Sequence, residues 1–374
     1  MPPIYVDSAP DRLVVYTLGP GFGECQLVLA PGGQSIMVDA CTKGRRNFGL
    51  DLLTALGRSH VDLFVVSHPD TDHVRGAHDV LLHAKPTKVW TYPVYASLRD
   101  FLAPVFRRAG SPAPKRLKDL DEFLSALEPY ETEERVWSMS SNLSEEWRST
   151  SGQCVVRPLA PTSYDKSKSL AHIGQLIRKD SAGVALANEL ADYLDGKRDS
   201  AGDRPNRISV ALSVEWATRR VLLAGDVEEG DGHERSGWRG VLTGLTARGD
   251  LARVQDVDVV KVAHHGSDGA FLEEAWREHC RGNRPTTLLI APFSSSRLPD
   301  EEALRKLGLH AARLAVSTPL HDTAQWAEGH GWKPSTAAEV VAHPDWDLPV
   351  VAAEIPATGP PKLHLSARAR AWTH

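Results

Sequence analysis

Three stretches of this sequence end an apolar run in histidine or aspartate, the side chains that hold divalent metals and move protons. The densest is VVSHPDTDHVRGA, where His68, Asp70, Asp72 and His73 fall within six residues. A strand delivers its last side chain rigidly, and the turn after it can fold several ligands back toward one point. Imidazole and carboxylate together suit zinc, manganese or iron(II). Taken alone, the same residues could instead cap the helix that follows, because Asp is a favoured N-cap.

A second apolar strand, VLLAGD at 221–226, ends in Asp226 after a glycine that permits close backbone approach, and its carboxylate could bridge two metals. The third stretch, DVVKVAHHGSDGAF, ends its apolar run at Val262 and continues into His264, His265, Gly266 and Ser267. Adjacent histidines beside glycine at a strand end are uncommon as core residues, so at least one is expected to be a ligand. Strand ends that converge from distant segments fit a site at one edge of a packed pair of sheets. Two divalent ions bridged by a carboxylate would activate a shared water and polarise a substrate oxygen, so hydrolysis is the chemistry expected.

The elements that must position these residues are legible in part. Strands are expected at Leu13–Thr17, Gln26–Leu29 and Ser35–Asp39, separated by the turn-formers GPGFG and APGGQ. Leu50, Leu53 and Leu56 at helical spacing precede a buried strand over Val61–Ser67, which runs into His68. From about 85 to 150, Pro-bounded amphipathic segments read as cover over one end of the domain. Strand signals return at Cys154–Leu159. A second insertion over 163–204 follows, helical in its middle and flexible at its Gly/Asp-rich end. Further strands are expected at Ile208–Glu215, Arg220–Ala224, Val257–Val262, Thr286–Ile290 and Arg313–Val316, with a helix over about Glu301–Leu307. Beyond 317 the pattern loses its periodicity, and the sequence does not place that tail.

Composition bounds the function. The chain has 374 residues, 41% of them hydrophobic, which is enough for a normal core. Its net charge of −5, with both signs interspersed, lacks the basic surface of most nucleic-acid binders, so any such contact must be local. Cys25, Cys41, Cys154 and Cys280 show no C-x-x-C pairing and read as free thiols. No apolar run is long enough to cross a bilayer, and the N-terminal stretch is unlike a secretory signal, so no membrane partner is expected and a cytoplasmic location is.

The order strand-G-x-G, strand-VD, strand-HxxxDH, strand-GD, strand-HHGS resembles the metallo-β-lactamase superfamily, in particular the soluble hydrolase domain of ComEC-type competence proteins. The matching stretches are LGPGFGECQLVL, SIMVDAC, DLFVVSHPDTDHVRGA, LAP at 159–161, NRISVALSVEW, RRVLLAGDVEEG and VVKVAHHGSDGAF. The resemblance implies an α/β fold, a four-layer αββα sandwich over residues 1–317, with insertions at about 85–150 and 163–204 and a C-terminal extension over 318–374. It also implies two divalent ions, zinc or manganese. His68 would bind the first, Asp72, His73 and His265 the second, and Asp226 would bridge them. His264 would face the substrate, with Asp72 and His264 as the catalytic residues, and Asn206, Ser209 and Ser267 as substrate contacts.

This chain departs from the family pattern at several points. Asp70 stands where the H-x-H-x-D-H motif has its second histidine, and it would ligate as a hard anionic oxygen. The third-motif histidine is absent, as in the ComEC-type branch, with His172 a possible substitute. Leu298 stands in place of a later histidine, and the G-x-G-D stretch ends in Glu24. The branch points to a phosphodiester substrate, nucleic acid or nucleotide, with Lys43, Arg45, Arg46 and Arg207 available to phosphates. Hydrolysis of another small ester or lactone, and a non-catalytic binding role on a degraded hydrolase fold, are the alternatives.

Overall fold

A computed structural model describes residues 5–100, 117–141, 145–178, 184–194, 205–282, 284–293, 295–320, 322–336 and 340–373. The Gly/Asp-rich end of the second insertion, 195–204, lies outside the described residues.

Two nine-stranded sheets dominate the described chain. The first runs, edge to edge, through Val340–His343, Lys362–Ser366, Val350–Pro356, Arg12–Gly21, Gly23–Leu29, Ser35–Val38, Leu63–Val66, Lys88–Thr91 and Val136–Ser138. The second runs through Lys333–Pro334, Arg370–Thr373, Arg313–Val316, Thr287–Ile290, Val259–Lys261, Arg219–Leu223, Leu212–Trp216, Cys154–Pro158 and Trp147–Arg148.

Side-chain alternation packs these sheets into layers. Val221 and Leu223 face inward, into the cluster shared with Leu13, Val15 and Leu27 of the first sheet. Their neighbour Leu222 faces outward and joins Trp238, Val241 and Leu245 of the helix Gly237–Arg248. The outer face of the second sheet also takes Ala275 and Trp276, and Leu304 and Leu307, from the helices Glu273–His279 and Glu301–Leu307. Helices Phe48–Ala55, Ala77–His83 and Lys118–Thr132 bury Leu52, Val80 and Phe123 with the first sheet. The result is the expected αββα sandwich. Burying alternate residues of a strand on both faces is what makes such strands read as continuous apolar runs.

Two of the three segments read as additions to the fold supply strands. Within 85–150, Lys88–Thr91 and Val136–Ser138 extend the first sheet in parallel from Leu63–Val66. The tail beyond 317 contributes to both sheets, and Val350–Pro356 pairs antiparallel with Arg12–Gly21 over seven residues. The second insertion is helical over Ser163–Arg178 and Val184–Leu194, as expected. The strand expected from Ile208 starts at Leu212, after a short 3-10 turn over Pro205–Ile208. Among the described residues no helix is long and apolar enough to cross a membrane. Cys25, Cys41 and Cys154 are buried free thiols, and Cys280 is half-buried and free.

Candidate metal centre

Parallel register gathers the site. Ser35–Val38 and Leu63–Val66 are parallel neighbours, so Asp39 and the pair Ser67 and His68 emerge at one edge. In the second sheet Arg219–Leu223, Val259–Lys261 and Thr287–Ile290 are parallel and in register, so Asp226, the His264–His265 pair and Ala291 emerge together. The two edges are joined where the Val210 amide donates to the Ser67 carbonyl. Two glycines make the approach possible. A Cβ on Gly23, at φ +80°, would stand 1.6 Å from the Asp72 carbonyl oxygen, and one on Gly225, at φ +53°, would stand 2.6 Å from Ser209 Oγ.

The donors converge. His73 Nε2 lies 3.6 Å from Asp72 Oδ2 and 3.4 Å from Asp226 Oδ2, and His265 Nε2 lies 3.6 Å from the same Asp72 oxygen. His68 Nε2 lies 3.6 Å from Asp70 Oδ2. Two groups, His68 with His73 and Asp226, and Asp72 with His73 and His265, each place their ligand atoms within 4.8 Å of one another. Ligands about 2.1 Å from a shared tetrahedral ion stand about 3.4 Å apart, which is the spacing found here. The Nε2 atoms of His68, His73 and His265 and one oxygen each of Asp70 and Asp226 are buried without a hydrogen-bond partner. Leaving so many polar atoms unsatisfied costs folding energy unless something else binds them, and a cation held there would satisfy them. Asp70 sits at the N-cap of the turn Thr71–Val74 but makes no side-chain capping bond, so the capping alternative does not account for it.

Each ring is held from behind. Asp39 accepts from His73 Nδ1 at 2.8 Å, and from the Ser67 amide and hydroxyl at 2.7 Å each. With its proton on Asp39, Ser67 Oγ accepts from His68 Nδ1 at 2.9 Å. The Ala291 carbonyl accepts from His265 Nδ1 at 2.9 Å, with Glu24 Oε2 3.2 Å from the same nitrogen. These contacts fix the tautomer that turns Nε2 into the site. A third donor group, Glu24, Asp39 and His73, belongs to this back layer.

The carboxylates set the local charge. Burial opposes protonation of His73, but Asp226, Asp72 and Asp39 outweigh it and hold its pKa well above the usual value. His265 is pushed up to about 10, with Glu24 the leading carboxylate against its burial. Burial raises Asp72 and Asp226, but His73 beside each more than compensates and holds them below the usual carboxylate range. Asp70 goes the other way, with burial pushing it up to about 6. Protons on these imidazoles are what a bound cation displaces.

His264 lies apart from the candidate ligands. Its backbone and that of His265 are both left-handed, at φ 48° and 54°, which turns the adjacent rings in different directions. His264 is a quarter exposed, with Nε2 4.0 Å from Asp226 and Nδ1 3.6 Å from Glu228. Asn206 Nδ2 stands 3.4 Å from both its ring nitrogens and donates to Glu228 at 3.2 Å. Ser209, expected to touch substrate, is fully buried behind the candidate ligands, where its hydroxyl accepts from the Asp226 amide at 2.9 Å. Ser267 is half-buried and follows the histidine pair.

His172 packs against Tyr193 at 4.9 Å between ring centroids and is in none of the donor groups. Arg207 pairs with Asp231 at 2.9 Å and Arg46 with Asp51 at 2.8 Å, while Lys43 and Arg45 are exposed on the small hairpin at 42–47. Leu298 bridges to Phe293, whose ring stacks on His265 at 4.9 Å. The residues missed from sequence are the orienting ones, Asp39, Ser67, Glu228 and Lys261. A lysine inside the apolar run VVKVA was the available signal for the last.

Residues 18–139 match the model of the metallo-β-lactamase superfamily. Among solved structures, a metallo-β-lactamase fold protein YhfI from Bacillus subtilis is 12% identical, with 82% of this chain and 95% of that chain covered at a TM-score of 0.38. A hydrolase of the β-lactamase superfamily, AbOPH, is 13% identical over 60% of this chain and 74% of that one, with a TM-score of 0.34. A comparison with curated proteins finds no match. The segment that resembles the metallo-β-lactamase superfamily contains Glu24, Asp39 and the cluster from His68 to His73.

Proposed function

We propose that this chain is a metal-dependent hydrolase that cleaves phosphodiesters, with nucleic acid or nucleotide as substrate. The carrying observation is the set of inward Nε2 atoms on His68, His73 and His265, unpartnered, oriented from behind and spaced from Asp70, Asp72 and Asp226 as ligands would be. Asp72, His73 and His265 would hold one ion, His68 and Asp70 the other, and Asp226 would contact both. Zinc or manganese suits the donor set, which mixes imidazole with carboxylate. When bound, the metal pair supplies Lewis acidity to a substrate oxygen and lowers the pKa of water.

The chain's own residues do the rest. Asp72 and Asp226 stay ionised at neutral pH. His264 is kept neutral there by burial, and Asn206 and Glu228 orient it. It is placed to take a proton at a ring nitrogen and return it to a leaving group. A phosphodiester is favoured because an anion suits a cationic site and because the motif order resembles the ComEC-type branch.

The test is metal analysis of the purified chain, with turnover measured on bis-nitrophenyl phosphate, on single- and double-stranded DNA and RNA, and on a lactone panel. Chelation should abolish phosphodiester turnover. Asp72→Ala, His73→Ala and Asp226→Ala should each reduce it strongly without loss of fold. Turnover confined to lactones would move the reading to the ester alternative. Wild-type turnover in all three variants at saturating metal would remove it.

A further inference from the structure

Resting on the metal-centre reading, we propose that Lys261 is a positioning residue of the centre, holding His265 and Asp226 in ligand geometry through a buried ion pair with Glu24 that ties the two sheets together. Lys261 ends the strand Val259–Lys261 of the second sheet, and Glu24 lies on Gly23–Leu29 of the first. Both are fully buried, and the ammonium contacts Glu24 Oε1 directly. The same ammonium donates to the Gly225 carbonyl at 3.2 Å and stands 3.9 Å from Asp226 Oδ1. Glu24's second oxygen is the one 3.2 Å from His265 Nδ1. One lysine therefore touches the turn that aims Asp226 and, through Glu24, the back of His265.

Charge supports the assignment. Glu24, Asp39, Asp70, Asp72 and Asp226 surround the imidazoles, and among the described residues Lys261 is the lysine or arginine in ion-pair contact with any of them. Two divalent ions would bring four positive charges against five carboxylates. Lys261, beside Glu24 and Asp226, closes that difference. A purely structural ion pair needs neither contact with the Asp226 turn nor a carboxylate shared with a ligand ring.

Removing one partner of a buried pair leaves an uncompensated charge, so Lys261→Met alone tests stability as much as positioning, whereas removing both partners is often neutral for folding. The informative protein is the double variant Glu24→Gln/Lys261→Met. Each full-length protein would be assayed for thermal unfolding without metal, for zinc and manganese affinity by competition titration, and for the visible spectrum of the cobalt-substituted form. The proposal expects the double variant to unfold near the wild-type temperature while binding zinc 10- to 100-fold more weakly, in the range seen when outer partners of ligands are lost. Its cobalt spectrum should change. A double variant that folds and keeps wild-type affinity and spectrum would overturn the positioning role. A double variant that fails to fold would overturn it too, unless Glu24→Gln alone folds and shows the same affinity loss. A wild-type chain that holds neither ion would overturn the metal reading, and this proposal with it.

Discussion

The carboxylate of Asp39 accepts a 2.8 Å hydrogen bond from Nδ1 of His73, and this contact turns the opposite nitrogen of the ring toward Asp72 and Asp226. Asp39 has φ 57°, a left-handed conformation that Asn tolerates as readily as Asp. Asp39→Asn should therefore leave the backbone in place while removing the charge behind His73. We expect metal affinity to fall about 10- to 100-fold with the fold retained. A competition titration that gives the wild-type affinity would show that Asp39 does not tune the ring.

The position of Asp39 also shows what could be seen in advance. The candidate ligands are legible because each cluster follows an apolar strand, and the VVSHPDTDH and AHHGS runs have few structural explanations. Asp39 itself reads only as the end of a strand, because SIMVDA carries no sign of which side chain the next parallel strand will bring alongside. Register decides that Ser67 and His73 meet it. Lys261 shows the same limit, since the sequence places a lysine in an apolar run but not the Glu24 across the sandwich that makes it tolerable. The tail strands are illegible for another reason. Val350–Pro356 gains its strand character from pairing with Arg12–Gly21, more than three hundred residues earlier, and not from local periodicity.

The adjacent histidines should separate in function. His265 is buried with its Nε2 among the donors, whereas His264 is partly exposed and outside both donor groups. Because both backbones are left-handed, asparagine is the replacement that removes the ring without adding strain. His265→Asn should lose metal. His264→Asn should keep metal content near wild type while turnover falls about 100-fold or more, as expected for loss of a general acid or base. Equal metal loss in the two variants would defeat the division.

Stability below neutral pH should depend on His279, which is buried edge-on against Trp238 and Trp276 and donates from Nδ1 to the Val254 carbonyl at 3.0 Å. Burial lowers its pKa from 6.5 to about 4. The unfolded chain therefore binds a proton that the folded chain refuses between those values. The stabilisation is fully present above pH 6.5 and is lost as pH falls toward 4, by about 3 kcal/mol at most. His279→Asn keeps a donor for Val254 without the titrating ring. Its unfolding temperature should fall less steeply from pH 6.5 to 4 than that of the wild type. Parallel slopes in a thermal melt series would show that the acid sensitivity arises elsewhere.

Asp70 is the sharpest departure from the superfamily motif. Its Oδ2 lies 3.6 Å from His68 Nε2 and its other oxygen is unpartnered and buried. A carboxylate in place of imidazole adds a negative charge and an oxygen donor. The ion held by His68, Asp70 and Asp226 would then be oxygen-dominated, a coordination that manganese accepts more readily than zinc does. Burial also pushes the Asp70 carboxyl up to about 6, so it is the carboxylate of this group that a proton reaches first on acidification, and occupancy of its ion should fall first as pH drops below 6. Asp70→His should raise zinc content, move the preferred activating metal from manganese toward zinc, and shift the acid limb of metal retention. Metal analysis of wild type and variant after dialysis across pH 5 to 8, with equal zinc and manganese supplied, reads all three. Unchanged stoichiometry and preference would mean that Asp70 is not a ligand and that the centre on the His68 side is not built as proposed.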